Sequence, residues 1–164
     1  MKTSARQKNA LLLFFFLLFL SSEAFSQLVT YIPLPSGFTH AQLGRRNVLK
    51  THPNGSIWVG FQEIGVGIYN GSTWTIYDSL NSGLPKNNIL AIEFNGSDIW
   101  LGTDTGLVKF DGVNWTIYNT TNSGLLNNRI QLLFADGNTL WISSGFGVQT
   151  FDVITWNTKS RVNP

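Results

Sequence analysis

The chain contains no cysteine, which removes disulfides, thiol nucleophiles, thiolate metal sites and lipid attachment through sulfur. Charge is scarce too, Asp, Glu, Lys and Arg together making up 12% of the residues. Histidine occurs only at His40 and His52, twelve apart and without a carboxylate partner. Both read as surface residues, and no metal or cofactor is expected. Gly65-x-Gly67 lacks the third glycine and the following helix of a dinucleotide loop, and no Gly-x-Ser-x-Gly or phosphate-loop pattern occurs. Beyond residue 26 no long segment has a 3.6-residue apolar period, so a solenoid of helix pairs is excluded.

What is present begins with a targeting pattern. Lys2, Arg6 and Lys8 precede an unbroken Leu/Phe run from Leu11 to Leu20, and Ala24-Phe25-Ser26 closes the segment. Small residues at the first and third of these positions fit a signal-peptidase site, and the apolar run is shorter than the ~20 residues of a membrane-spanning helix. Residues 1–26 are therefore expected to be a cleavable signal peptide, a retained anchor being the alternative. The mature chain, 27–164, would have no membrane span and would be periplasmic or secreted. Removing the leader takes away three of 11 basic residues and Glu23 of nine acidic ones, leaving a formally neutral chain. A neutral surface without Lys/Arg clusters gives no basis for nucleic-acid binding.

The tryptophans supply the main signal. Trp74, Trp115 and Trp156 are spaced by 41 and 41, and Trp58, Trp100 and Trp141 by 42 and 41. Gly65, Gly106 and Gly147 keep the same phase, as do Val48, Ile89 and Ile130, and Asn81-Ser82-Gly83-Leu84 returns as Asn122-Ser123-Gly124-Leu125. Each repeat reads as four short strands; in the second copy these are 89–94, 99–103, 107–110 and 115–119. Asn95-Gly96 and Asp111-Gly112 supply hairpin turns, because these pairs tolerate positive φ. Asp152-Val153 breaks the pattern, so the last hairpin is expected to be looser. Four antiparallel strands every 40–45 residues mark a propeller blade. The expected fold is all-β: a partial β-propeller of three four-stranded antiparallel blades, at about 47–77, 88–118 and 129–159, with a lone N-terminal strand at about 28–32. The Trp rings are expected to pack between sheets, a sugar-stacking role for one or two being the alternative.

Ser82-Gly83-Leu84-Pro85-Lys86-Asn87-Asn88-Ile89, then Ile99-Trp100-Leu101-Gly102-Thr103 and Gly106-Leu107, resemble the two-component regulator propeller repeat. The first copy, Ile57-Trp58-Val59-Gly60-Phe61, and the third, Leu140-Trp141-Ile142-Ser143-Ser144, drift from the pattern at its Gly-Thr end. The resemblance implies a bacterial extracytoplasmic sensor domain of the kind associated with glycans. Within residues 27–164 there is no second long apolar run, and three blades are fewer than the four to eight with which propellers usually close.

The carboxylates are scattered, and Asp111, Asp136 and Asp152 have turn-forming reasons to occur where they do. Binding in such folds uses loops gathered at one end, here the second-to-third-strand loops around Glu63, Asp104 and Ser144 and the connectors that hold Asn87 and Asn128. A non-enzymatic, sensor-type module for a polar ligand such as a glycan is the expected function. A structural or truncated propeller that self-associates, or that awaits further blades, is the alternative. A carbohydrate-active enzyme using Glu63 and Asp104 ranks below both.

Overall fold

The computed structural model describes residues 48–152 and 154–159. The signal-peptide, lone-strand and His40 readings fall outside them. The described residues form twelve strands and no helix. Sheet 1 contains β1 (Val48–Thr51), β2 (Ile57–Phe61), β3 (Gly65–Tyr69) and β4 (Trp74–Tyr77). Sheet 2 contains β5 (Ile89–Asn95), β6 (Asp98–Thr103), β7 (Leu107–Phe110) and β8 (Trp115–Tyr118). Sheet 3 contains β9 (Ile130–Asp136), β10 (Thr139–Ser144), β11 (Gly147–Phe151) and β12 (Trp156–Lys159). Each is an antiparallel meander in chain order, the partial propeller expected from the repeats.

Local chemistry sets the turns. Between third and fourth strands, Asn70 Oδ1 accepts from the amides of Ser72 and Thr73, each at 2.9 Å. Asp111 Oδ1 accepts from Val113 and Asn114 at 2.9 and 2.7 Å. Asp152 Oδ1 accepts from Ile154 and Thr155 at 3.1 and 2.6 Å. A short side chain that caps its own turn explains Asn or Asp at this position. The last hairpin, expected to be looser, keeps the same side-chain bonds without the glycine. Gly71 and Gly112, at φ 97° and 98°, supply the positive-φ residue that the other two turns use.

Strand alternation sets the packing. In β6, Ile99 and Leu101 join the core between sheets 1 and 2, where they meet Trp58, Val66 and Leu84. Trp100, on the other face, joins the core between sheets 2 and 3 with Leu107, Leu125, Ile130, Leu140 and Phe151. The glycine of the second-strand motif permits this spacing. A β-carbon on Gly60 would lie 2.5 Å from Ile89 Cγ2, and one on Gly102 would lie 2.9 Å from both Cγ2 and the carbonyl oxygen of Ile130. The first strand of each following sheet therefore nests into a side-chain-free position of the sheet before it. The second Trp series packs differently. Trp115 stacks on Phe110 and Trp156 on Phe151, both at 4.3 Å between ring centres. The connector glycines Gly83 and Gly124 lie against the same residues, where an added β-carbon would come within 2.3 Å of Trp115 Cβ and 2.6 Å of Trp156 Cβ. Both series are thus packing elements wherever a neighbouring sheet exists.

Candidate functional site

Alternating strand direction sends the second-to-third-strand loops and the two connectors, 78–88 and 119–129, to one end of the sheets. Two hydrogen bonds tie loop to connector there. The Gly65 amide donates to the Asn87 carbonyl oxygen at 2.9 Å, and Asn88 Nδ2 donates to Asp104 Oδ2 at 3.2 Å.

The connectors are built twice to one plan. Asp78 Oδ1 accepts from the amides of Leu80 and Asn81 at 2.8 and 3.0 Å, as Asn119 Oδ1 does from Thr121 and Asn122 at 2.9 and 3.2 Å. Asn81 Nδ2 donates to the Ile76 carbonyl at 3.0 Å, and Asn122 Nδ2 to that of Ile117 at 2.9 Å. Asn87 Oδ1 accepts from the Ser79 amide at 2.7 Å, and Asn128 Oδ1 accepts from the Thr120 amide at 2.9 Å. The side-chain oxygens of both proposed ligand residues are therefore used in closing their own connectors. Apolar side chains then fasten the connectors, Leu84 and Leu125 being buried in the two cores.

The remaining predicted residues fall into three environments. Glu63 is exposed in the loop of sheet 1. Asp104, at the same repeat position in sheet 2, is half-buried; its Oδ1 is enclosed and accepts no hydrogen bond, and the same holds for Asn88 Oδ1. Ser144 is buried and pairs with Ile130, as Thr103 pairs with Ile89. It therefore shares its register with Thr103, and the residue matching Asp104 in sheet 3 is Gly145. The acceptors Glu63 and Asp104 belong to sheets 1 and 2, and sheet 3 offers no carboxylate at that position. Among the described residues no three of His, Asp and Glu gather as a metal site.

Sequence reasoning missed three polar links. Gln149 is 2% exposed; its Oε1 accepts from the Leu126 amide at 2.8 Å and its Nε2 donates to the Gly124 carbonyl at 2.9 Å. This side chain fastens the second connector to β11. Lys109 pairs with Asp98 at 2.6 Å and lies 5.8 Å above the Trp100 ring. Lys50 of β1 pairs with the buried Glu93 of β5, across sheets 1 and 2. The equivalent positions of these residues hold different residue types in the other repeats, so periodicity carried no sign of them.

No family model and no curated protein matches the chain. Solved structures do. The extracellular domain of BT3049, described as a hybrid two component system from B. thetaiotaomicron, superposes at TM-score 0.62 and 22% identity over 70% of this chain. That of BT4673 from the same organism superposes at TM-score 0.53 and 25% identity over 73% of it. The chain spans 17% of the length of each. YCF48, solved bound to D1 peptide, has the same fold at TM-score 0.53 and 13% identity, over 69% of this chain and 40% of its own. In fold, the described part of this chain is a partial β-propeller similar to the extracellular domains of two-component-system proteins, the resemblance that its repeats carry.

Proposed function

We propose that the chain is an exported, non-enzymatic, sensor-type module that takes a polar ligand such as a glycan at the connector end of its sheets. The observation that carries this reading is the shared fold with extracellular domains of two-component-system proteins. The connector end supports it, because Glu63 and the loop around Asp104 lie there on a frame closed by its own hydrogen bonds. A preorganised frame lowers the ordering cost of binding. The test is calorimetric titration of the chain with a panel of neutral and acidic oligosaccharides. Saturable binding to one class, weakened about tenfold or more by Glu63→Ala or Asp104→Ala, is the expected result. A folded chain that binds none of them overturns the reading, and ligand turnover abolished by either variant replaces it with the enzymatic one. Export is checked by the N-terminal mass of the secreted chain, expected to begin at Gln27.

A second reading, self-association, is favoured by the exposure of large apolar side chains on β9, Leu132 at 67% and Phe134 at 62%.

A further inference from the structure

The sequence Asn-Gly-Ser occurs three times, at Asn54, Asn70 and Asn95, and each copy lies at a hairpin. An asparagine before glycine is open to spontaneous deamidation, because no β-carbon on the glycine shields its nitrogen from the side-chain amide carbon. The immediate sequence is identical at all three sites. Any difference between them in the folded chain therefore comes from the structure.

At Asn54 both reacting groups are held. The Gly55 amide, the nitrogen that would attack, donates to the His52 carbonyl at 2.8 Å. Asn54 Oδ1 accepts from the Ser56 amide at 2.9 Å and from Ser56 Oγ at 2.7 Å. At Asn70 the whole side-chain amide is held. Its Oδ1 accepts from the Ser72 and Thr73 amides, and Nδ2, the leaving group, donates to Thr73 Oγ1 at 3.1 Å. Asn95 differs. It ends β5, pairs with Asp98 of β6 and leaves Gly96 and Ser97 as an exposed two-residue loop. Among the described residues its side chain makes no hydrogen bond, and the Gly96 amide has no acceptor.

We propose that Asn95 is a site of spontaneous covalent modification, deamidating in the folded chain while Asn54 and Asn70 are protected. The Gly96 nitrogen gives its proton to a solvent base and attacks Asn95 Cγ, forming the new C–N bond of a cyclic imide. Nδ2 takes up a proton and leaves as ammonia. Water then opens the ring at either carbonyl, giving aspartate or isoaspartate, with no oxidation or reduction. Ring closure requires Cγ to turn its face to the glycine nitrogen, which breaks the bonds that hold Asn54 and Asn70. Two such bonds correspond to a slowing of about tenfold or more.

The fold accommodates one product better than the other. Sheet 3 carries Asp136-Gly137 at the equivalent turn, and Gly137 has φ 56° against 62° for Gly96, so aspartate fits this backbone. The residue facing Asp136 is Thr139, whereas the residue facing position 95 is Asp98, already paired with Lys109 at 2.6 Å. A carboxylate at 95 therefore stands opposite another, and like charges in that relation weaken a strand pair. Isoaspartate adds a carbon to the backbone beside the loop and disturbs the pairing of 95 with 98. Either product loosens the hairpin that joins β5 and β6.

The test is independent of any ligand. The folded full chain is incubated in mildly alkaline buffer beside a sample held in urea, and the three sites are followed by peptide mass mapping. In urea all three should convert at similar rates. In the folded chain Asn95 should convert about tenfold or more faster than Asn54 or Asn70, yielding both aspartate and isoaspartate. Asn95→Asp should stay folded by circular dichroism, with a lower urea midpoint than the parent chain. Equal rates at the three sites of the folded chain, faster conversion at Asn54 or Asn70, or an intact Asn95 once the urea sample has reacted would each overturn the proposal.

Discussion

The Cγ2 methyl of Ile130 lies 2.9 Å from the point where a β-carbon on Gly102 would stand, and the Ile130 carbonyl oxygen is equally close. This relationship explains the glycine of the second-strand motif as a contact requirement between sheets. Gly102→Ser, which copies the residue that sheet 3 carries at this position, would force sheets 2 and 3 apart. A loss of about 1–3 kcal/mol in urea-unfolding stability is expected, with little change in the denaturant slope. An unchanged midpoint would show that the sheets can separate without cost.

The first Trp series gives a paired comparison. Trp100→Ala removes a ring that is buried between two sheets and should cost about 3–5 kcal/mol. Trp141→Ala, at the same repeat position, should cost about 1 kcal/mol or less, because the ring is 36% exposed and no described sheet covers it. Similar losses at the two positions would contradict this difference in burial.

Gln149 is the only buried glutamine tying a connector to a strand among the described residues. Gln149→Leu keeps the volume but leaves the Leu126 amide and the Gly124 carbonyl without their partner. A cost of about 1–3 kcal/mol is expected, and amide hydrogen exchange at Leu126 should accelerate.

The turn carboxylates predict a pH response. Backbone amides of Asn114 and Val113 hold Asp111 below the ordinary carboxylate pKa, and those of Thr155 and Ile154 do the same for Asp152. A folded-state pKa that is depressed means the unfolded chain binds protons more readily. The contribution is therefore complete above the ordinary carboxylate range and is lost as pH falls through it to the lowered values. Both groups are fully exposed, so the effect is small. Asn70 makes the equivalent bonds in sheet 1 without titrating. Asp111→Asn should accordingly keep the stability at neutral pH and reduce its decline in acid, read as urea midpoints from pH 6 to pH 2.

Most of the fold was legible because its determinants are local. Asn70, Asp111 and Asp152 form their turns from their own side chains, and the Trp and Gly positions repeat with the sheets they space. In the second copy the strands differ from expectation by a single residue at three of their ends: Asn95, Asp98 and Tyr118. The site was less legible, for a physical reason. Asn87 and Asn128 stand in polar connectors, and polarity alone does not reveal whether a side chain faces a ligand or its own backbone. Their oxygens accept from Ser79 and Thr120, eight residues earlier in each case. Ser144 shows a different obstacle, since its register becomes visible only from its pairing with Ile130. Gln149 and the Lys50–Glu93 pair act across long stretches of chain and occur once each, so no periodic pattern announces them.

Each described sheet draws all four of its strands from one uninterrupted stretch of sequence. A gene segment of about 41 codons thus encodes a unit whose ladder is already closed, and tandem duplication or deletion of that segment would alter the number of sheets without severing any ladder. Such an array can lengthen or shorten by recombination in whole steps.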